Sequence, residues 1–541
     1  MLKMRTARKL GPSGSTTLIK GFGILYLATV LTSYCQISYF HLSNASIQHN
    51  DPIATYLTVE TETQKEQGNE KMVMKSNEKV SSTHMSTMNP LDGVVELLLP
   101  SDKAKAYVSR HPGSSFRFNV QHIPGHLQWK KVSDGVEKFY LRREREKEDM
   151  SMQQFRHRYC SWGGNVCNPK ISSHSQYSTR RLNNNMDLVL SKLFSEYEGE
   201  MQETRFDQSD VFVVPFAMSS FTSAGPSNNV RKRQFRDMNE LLLDHLESWN
   251  QKNETQRGAH LFFQSDNKGL LRSMEIGMLA TVEELIPKNS TQKRLVVPFV
   301  NTNSEYRPQA VMTRLRDETF FQQKNVSLAA VFSPVISGRS DLRQEFALNA
   351  TDLFGDNILG LPVVIRLLHK TGRRMRDERG ALQLYRDSLF CPVLRGDTPV
   401  QKRLFDAILS GCIPAVLAYK WFDKQENATQ VSYFSHGLPN YVFLPFAKGA
   451  FEGDPDMGID YQEMVVEVDG SCGLRCMKPT LEKLMKNSEE LRRKQQALAW
   501  YAPLFSFGMD DGDAFKYPDA VSAMLVQARH HVLAMKDRQF R

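Results

Sequence analysis

The sequence predicts an α/β protein with two lobes, each built around a mostly parallel sheet. Short apolar runs typical of buried strands alternate with stretches whose apolar residues repeat at helical spacing, as in doubly wound sheets. About 430 residues follow the polar N-terminal region, which is more than one hydrophobic core usually supports. The clearest strand–turn–helix–strand unit spans residues 388–419. Two domains of this class are therefore the expected architecture.

The N-terminus has the pattern of a signal anchor. Basic residues within positions 1–20 precede an uncharged run at residues 21–40, which is long enough to cross a bilayer. Positive charge before the run keeps that side cytosolic. We therefore expect a cytosolic tail, a transmembrane anchor over residues 21–40 and a lumenal remainder, with a cleaved signal peptide as the alternative.

Changes in composition predict the remaining boundaries. Residues 41–105 are poor in aromatic side chains and rich in polar ones, which is typical of a flexible stem. Within this stem, the apolar residues 94–99 indicate a first helix or a docking segment. We place the N-terminal lobe at residues 106–315, the C-terminal lobe at 316–510 and a final helical segment at 511–541.

Two further features are typical of proteins that enter the secretory pathway. The chain after residue 40 contains acceptor sequences for N-glycosylation at Asn44, Asn253, Asn289, Asn325, Asn349 and Asn427. It also contains the cysteines Cys160, Cys167, Cys391, Cys412, Cys472 and Cys476. Three disulfides can form, and the sequence alone does not give their pairing.

Pairing between near neighbours is the simplest arrangement of these cysteines. It joins Cys160 to Cys167 and Cys472 to Cys476. Cys391 is then left with Cys412. A zinc site is the alternative, but the spacings lack a convincing set of four ligands.

The chain is basic, with a formal net charge of +9 at pH 7. This balance suits a diphosphate or an acidic glycan as a ligand, and it is equally typical of a solvated surface. The secretory compartment, rather than the charge, excludes nucleic acid as a partner.

The unit at residues 388–419 contains a candidate phosphate site. An apolar run at residues 389–394 predicts a strand, and a turn with the sequence Arg-Gly-Asp-Thr-Pro follows at residues 395–399. Asp397 or Thr398 can cap the next helix, with Pro399 at its first position. Backbone amides in such a turn, including that of Gly396, are well placed to bind a phosphate.

Charged residues surround this turn. Arg395 and Arg403 flank it, and an arginine can bind two oxygens of a diphosphate at once. Asp406 lies one helical turn beyond Arg403, where it can accept hydrogen bonds from ribose hydroxyls. Gly411 is placed to end the helix. From spacing alone, an ordinary strand–helix–strand crossover with two surface arginines is the more frequent explanation.

The motifs of this region resemble the nucleotide-sugar half of the exostosin family of glycosyltransferases. They are Phe-Cys at 390–391, the turn at 395–399, Arg-Leu-Phe-Asp-Ala at 403–407 and Gly-Cys-Ile-Pro at 411–414. One departure concerns the position of Gln401 and its neighbours, where the family has small hydroxyl residues.

The resemblance extends to other parts of the chain and covers about residues 116–501. Residues 116–124, 205–216 and 295–299 are similar to strands of the family. Residues 258–269 are similar to another strand and its following turn, although Ala259 replaces the usual acid.

The resemblance implies a GT-B fold, with two Rossmann-like lobes and a cleft between them. The N-terminal lobe would face the acceptor and the C-terminal lobe would bind the nucleotide sugar at the carboxyl ends of its strands. A loop with Arg339 and Arg343 would complete the donor site. The expected donor-binding residues are thus Arg339, Arg343, Arg395, Gly396, Asp397, Thr398, Arg403 and Asp406.

Exostosin relatives invert the anomeric centre, so the acceptor hydroxyl attacks directly and requires a base. Asp266 and His260, which we place after a strand of the N-terminal lobe, are the candidates, and a turn or capping role is the alternative for Asp266. Arginines and helix amides can stabilise the leaving diphosphate, so we expect no metal and no cofactor besides a UDP-linked donor. The Asp-x-Asp sequences at 454–456 and 511–513 are better explained by chance.

The expected protein is a Golgi enzyme, held in the membrane by one N-terminal helix. Its partners would be a nucleotide sugar, a glycan or glycoprotein acceptor and, in an oligomer, a second copy or another subunit. An inactive relative that binds glycan or assists another transferase is one alternative. A lumenal sulfotransferase is another, but residues 116–129 lack the phosphate-binding loop that it needs near the first strand.

Overall fold

The computed structural model describes residues 88–123, 186–216, 246, 249, 257–264, 277–282, 284–285, 293–301, 303–332, 341–367, 378–394, 401–417, 441–442, 444–508 and 515–539. All of them belong to one compact unit, Lys79–Arg541. The predicted anchor at residues 21–40 lies outside these ranges. Within them, no helix is both long enough and apolar enough to cross a membrane.

The first sheet is parallel, and its strands are buried on both faces, as expected when helices cover a parallel sheet. The strands are β1 (Phe118–Val120), β2 (Val211–Val213), β3 (His260–Gln264), β4 (Met278–Thr281) and β6 (Lys293–Val296). Their order is β1-β2-β3-β4-β6. A separate antiparallel ribbon joins β5 (Glu284–Leu285) to β12 (Tyr441–Val442).

The second sheet contains the region that carries the motif residues. Its strands are β7 (Val326–Phe332), β8 (Asn357–Ile358), β9 (Leu361–Leu367), β10 (Ser388–Pro392), β11 (Ile413–Leu417) and β13 (Val466–Val468). The order is β13-β11-β10-β7-β9-β8, and only β8 is antiparallel to its neighbour among the described pairings. The parallel strands thus follow the doubly wound order 2-1-3-4-5, so the direction of winding reverses between β7 and β10.

The α-helices are α1 (Pro90–Leu98), α2 (Ser101–Arg110), α3 (Met186–Glu196), α4 (Pro308–Leu315), α5 (Asp341–Phe354), α6 (Glu378–Arg386), α7 (Lys402–Leu409), α8 (Tyr461–Met464), α9 (Met477–Lys486), α10 (Ser488–Tyr501) and α11 (Ala520–Gln539). Helices α9 and α10 follow each other with only Asn487 between them. They are separate because Asn487 caps α10, accepting a hydrogen bond from the Glu490 amide at 3.1 Å.

The end of the predicted stem is folded. Helix α1 is capped by Asn89, and its apolar residues, including Val94 and Val95, are buried. The Trp500 indole donates to the carbonyl of Leu97 at 3.1 Å and joins α1 to α10. A stem that continues to residue 105 is therefore wrong, and of the two alternatives for residues 94–99, a first helix or a docking segment, the helix is observed. Capping and apolar packing outweigh the polar composition of the surrounding residues.

The final helix packs against the beginning of the described chain. The buried guanidinium of Arg529 on α11 donates to the carbonyls of His111 and Pro112 and to the hydroxyl of Ser115, at 2.9–3.1 Å. The ring of His530 stacks on that of Tyr107 at 4.8 Å between centroids. The predicted C-terminal helix is confirmed, and it joins the two ends of this unit.

Two of the predicted disulfides are confirmed. Cys391 pairs with Cys412, with 5.8 Å between their Cα atoms, and Cys472 pairs with Cys476. The pair Cys160–Cys167 lies outside the described residues.

Two of the predicted glycosylation acceptors are exposed. Asn325 precedes β7, and Asn349 lies on α5. The other four, Asn44, Asn253, Asn289 and Asn427, lie outside the described residues.

Candidate functional site

The candidate site lies where β7 and β10 end. These parallel strands are neighbours, with Phe390 opposite Leu328, and the winding of the sheet reverses between them. Ligands of open α/β sheets bind outside the carboxyl ends of the strands at such a switch point. The predicted donor residues follow these two strands. Among them, Arg339, Arg395, Gly396, Asp397 and Thr398 lie outside the described residues.

Arg343 links the segments that follow the two strands. It is the third residue of α5 and is only 3% exposed. Its Nε and Nη2 donate to the carbonyl of Leu394 at 3.4 and 3.2 Å, and Nη2 also donates to Oε1 of Gln401 at 2.7 Å. Leu394 and Gln401 bracket residues 395–400. Arg343, which the sequence placed in a loop, thus lies on a helix and contacts the two described residues that flank positions 395–400.

Helix α7 carries the second part of the motif. The buried face predicted from Leu404, Phe405, Ile408 and Leu409 is confirmed, since each is fully enclosed. The predicted start at Pro399 is wrong, because Gln401 has extended backbone angles (φ −123°, ψ 144°) and the helix begins one residue later. The side chain of Gln401 makes no capping hydrogen bond to the helix.

Gly411 ends α7 as predicted. Its φ is +70°, a conformation that glycine adopts without strain. A Cβ at this position would lie 2.5 Å from Phe320 and 2.7 Å from Leu315, so the close packing of these side chains also requires glycine.

Asp406, which the sequence predicts to accept from ribose hydroxyls, is buried, and its carboxylate accepts hydrogen bonds from side chains of the protein. It is 8% exposed, and its Oδ1 accepts from Nζ of Lys402 at 2.7 Å and from Nδ2 of Asn301 at 2.8 Å. Its Oδ2 accepts from the same lysine at 2.8 Å. These contacts attach α7 to the segment after β6. The geometry therefore supports an anchoring role for this carboxylate.

More residues of the segment after β6 hold α7. The hydroxyls of Tyr306 and Ser410 are 2.5 Å apart, and Nη2 of Arg314 donates to the carbonyl of Leu409 at 2.7 Å. The guanidinium of Arg314 also lies over the Tyr306 ring. Sequence reasoning missed these residues, since they form no motif and about 100 residues separate them from their partners in the chain.

Arg403 lies in the first turn of α7 and is partly buried. It lies close enough to Tyr385 of α6 for its charge to act on the phenol. Burial raises the pKa of Tyr385 to about 12, against the opposing effect of Arg403. The tyrosine is therefore neutral at physiological pH. No pattern in the sequence indicated this neighbour, because the two residues meet through the packing of α6 on α7.

His260 occupies a different position from the one predicted. It begins β3 rather than following a strand, because its segment already pairs with β2 opposite Phe212. Its ring is fully buried, stacks on Phe212 at 4.8 Å and donates from Nδ1 to the carbonyl of Arg257 at 3.1 Å. It is thus at the amino end of the strand. The other candidate base, Asp266, lies outside the described residues and follows the carboxyl end of β3, which is at Gln264.

The two carboxylates of the Asp-x-Asp sequence at residues 454–456 interact with other groups of the protein. Oδ1 of Asp454 accepts from the amides of Asp456 and Met457 at 3.1 and 3.3 Å, and Asp456 forms an ion pair with Lys103. The described part of the chain contains no group of three or more His, Cys, Asp or Glu residues that could hold a metal ion. The second such sequence, at 511–513, lies outside it.

A comparison with known families identifies the family of this chain. Residues 166–435 match the family model described as the Exostosin GT47 domain. The chain belongs to the exostosin family of glycosyltransferases. The match includes β7, β10 and α7, and therefore the switch point described above. No curated protein shows significant sequence similarity to this exostosin-family chain.

Proposed function

We propose that this exostosin-family protein transfers a sugar, with inversion, from a UDP-linked donor to a glycan or glycoprotein. The contact of Arg343 with both Leu394 and Gln401 carries the proposal, because it unites the two predicted donor segments at the switch point. The transferred group would be a hexosyl, pentosyl or glycuronosyl unit. The donor would occupy this position in the C-terminal lobe, and the acceptor would approach from the first sheet.

Stabilisation of the leaving diphosphate is assigned to the protein itself. Arg395, Arg403 and the backbone amides of Gly396, Asp397 and Thr398 would neutralise the charge that develops as the glycosidic bond breaks. Arginines and amides that already face the diphosphate need not rearrange as its charge develops. We therefore propose that the reaction requires no metal. Arg339 would support the same phosphate groups from the loop after β7.

Asp266 is the proposed catalytic base. It comes two residues after Gln264, the last residue of β3, and the carboxyl end of a parallel strand is where ligands approach. His260 is the weaker candidate, because its ring is enclosed and its Nδ1 proton is donated to Arg257. The base would remove the proton of the acceptor hydroxyl as this oxygen attacks the anomeric carbon.

The proposed location is the Golgi membrane, with a single-pass anchor at residues 21–40 and the catalytic part in the lumen. The disulfides Cys391–Cys412 and Cys472–Cys476 and the exposed acceptors Asn325 and Asn349 support an oxidising secretory compartment. Endoglycosidase treatment of the expressed full chain should increase its electrophoretic mobility. Unchanged mobility, with the C-terminus open to cytosolic protease, would reject this topology.

A screen for donor hydrolysis tests the function directly. The full-length protein in detergent would be incubated with a panel of UDP-linked hexoses, pentoses and uronic acids, with and without EDTA. We expect one class of donor to be hydrolysed and the rate to be unchanged by EDTA. With an identified acceptor, proton NMR of the product should show the inverted anomer. A retained anomer would reject the proposed mechanism.

An inactive subunit is the second candidate function. Gln401 stands where the family has a small hydroxyl residue, and its side chain is hydrogen-bonded to Arg343. Ala259 replaces an expected acid and is buried. Failure of the purified chain to hydrolyse any donor, together with increased activity of a co-expressed exostosin transferase, would favour this function.

A further inference from the structure

Asn301 and Asp406 connect the two sheets on the side where ligands of parallel sheets bind. Asn301 lies in the segment after Val296, the last residue of β6 in the first sheet. Asp406 lies on α7, which follows β10 in the second sheet. Both residues therefore come after the carboxyl ends of parallel strands. The Nδ2 atom of Asn301 donates to Oδ1 of Asp406 at 2.8 Å, and both side chains are buried.

The direction of this hydrogen bond is fixed by its surroundings. The Oδ1 atom of Asn301 accepts from the amide of Asn303 at 3.0 Å, which leaves its Nδ2 group for Asp406. The carboxylate of Asp406 also accepts from Lys402. A buried carboxylate is stable only where it has such donors, so a change that separates Asn301 from Asp406 is unfavourable. The contact thus resists displacement of one sheet relative to the other.

Helix α7 has other contacts that hold it on its own sheet. It packs on α6 and β11, and its side chains Leu404 and Ile408 are fully buried. The segment after β6 is in turn attached to the first sheet, because the amide of Val297 donates to the carbonyl of Thr281 on β4 at 2.8 Å. The contact of Asn301 therefore sets the position of the first sheet relative to α7.

We propose that Asn301 is a positioning residue that aligns the acceptor with the donor sugar by holding the first sheet against α7. This inference rests on the proposed function, in which the first sheet receives the acceptor and Arg403 of α7 stabilises the leaving diphosphate. In transfer, an acceptor oxygen bonds to the anomeric carbon and gives its proton to the base as UDP leaves. In hydrolysis, water replaces the acceptor. Since water is small and reaches the carbon in many orientations, a shift between the sheets should slow transfer more than hydrolysis.

The test measures both reactions in the full-length protein in detergent. Wild type, Asn301→Ala, Asn301→Asp and the double variant Asn301→Asp/Asp406→Asn would each receive the radiolabelled UDP-sugar that wild type hydrolyses. Transfer is measured as label incorporated into a membrane extract of cells that lack this protein, and hydrolysis as label released as free sugar. Gln322→Ala, at an exposed position between β6 and β7, is the matched control.

We expect Asn301→Ala to lower the ratio of transfer to hydrolysis about tenfold, while the Kd for UDP stays close to that of wild type. Asn301→Asp should lower the ratio further, because two carboxylates would then face each other. The double variant should recover most of this loss, since the amide introduced at position 406 can donate to the carboxylate introduced at position 301.

Two results would overturn this role of Asn301. One is a lower melting temperature of Asn301→Ala with an unchanged ratio in the folded protein, and the other is a double variant that recovers nothing. Wild type that hydrolyses no UDP-sugar would instead reject the proposed function, and the role of Asn301 with it.

Discussion

Two charged side chains near the β10–α7 motif, Arg343 and Asp406, are buried, and each has hydrogen-bond partners within the protein. Arg343 is matched by a carbonyl and an amide oxygen, and Asp406 by Lys402 and Asn301. Removing one partner of such a group leaves a desolvated charge, which costs more than the contact itself contributes. Single substitutions at these positions therefore distinguish two kinds of residue. Replacing a residue that holds the site lowers stability, whereas replacing a residue that acts on the substrate lowers turnover.

Arg403→Ala should lower turnover with little change in stability. If Arg403 neutralises the leaving diphosphate, its loss should raise the barrier by about 2.7–4 kcal/mol, or roughly a hundredfold or more in kcat. Arg403→Lys should restore only part of the rate, because an ammonium cannot bind two oxygens in a fork. Donor hydrolysis and thermal melting would be measured together, with Arg493→Ala, an exposed arginine on α10, as control. A lower melting temperature with unchanged turnover would assign Arg403 a structural role.

Asp519 should make the protein less stable as the pH rises. This buried carboxylate precedes α11 and accepts from the amides of Ser522 at 2.7 Å and Gly508 at 2.9 Å. Burial raises its pKa from 3.8 to about 6, against the effect of these hydrogen bonds. The protonated form is thus favoured in the folded state. Its contribution to stability is complete below pH 3.8 and is lost as the pH rises through about 6.

The difference in melting temperature between wild type and Asp519→Asn isolates this contribution. Asparagine keeps one oxygen acceptor and does not titrate, so the difference should change between about pH 4 and pH 6 and be constant above pH 7. Buried His530, whose pKa is lowered by desolvation to about 4, titrates equally in both proteins and cancels. A difference that is independent of pH would show that Asp519 has no raised pKa.

At the scale of elements, α7 is held from three directions. The segment after β6 contacts it through Asn301, Tyr306 and Arg314. Phe505, in the short helical turn that follows α10, packs on Phe405 with 5.7 Å between ring centroids. The disulfide Cys391–Cys412 closes a covalent loop that contains residues 395–400 and the whole of α7. The position of the motif thus depends on contacts that lie outside it.

Removal of this disulfide should destabilise the protein more than removal of Cys472–Cys476. The two bridges span 21 and 4 residues of sequence. Loop-closure entropy then predicts losses of about 3 and about 2 kcal/mol, respectively. Urea unfolding of the two double Cys→Ser variants, each compared with wild type, gives this ranking. The reverse order would show that native packing around the bridges, rather than loop length, sets their effect.

At the scale of the whole molecule, α11 connects the end of the described chain to its beginning. Arg529 joins it to residues 111–115, and Gln527 donates to the carbonyl of Ala450 at 3.0 Å. The same helix contacts β2 and β6 of the first sheet. Because α1 and α2 pack on α10 and α11, the segment before β1 is part of the folded unit.

Arg529→Ala should destabilise the unit by about 3 kcal/mol, because it leaves two carbonyls and a hydroxyl without their charged donor. Arg538→Ala on the same helix is the matched control. Arg538 is 63% exposed and pairs with Glu452, so its loss should cost less than about 1 kcal/mol. Urea unfolding followed by tryptophan fluorescence would measure both variants. Similar losses for the two would show that the contacts of Arg529 do not hold α11 in place.

Local patterns in the sequence were sufficient to predict several features of the fold. The buried face of α7 and its end at Gly411 follow from residue spacing, because neighbours along a helix decide them. The motif turn lies between β10 and α7, as the order of apolar and turn residues indicates. Contacts such as Asn301–Asp406 were beyond prediction, since no local rule relates residues that are 105 positions apart.

Residue patterns were enough to predict the α/β class, the family and the place of the strand–turn–helix motif at residues 388–419. These properties depend on short-range spacing and on residue types that the chemistry requires. The packed structure was needed to show that α7 begins at Lys402, that His260 is enclosed at the start of β3, and that Asp406 anchors its helix. It also settled the pairing of the two described disulfides. These features depend on side chains and strands from distant parts of the sequence. Such segments bury a residue or supply its hydrogen-bond partner only after the chain has packed.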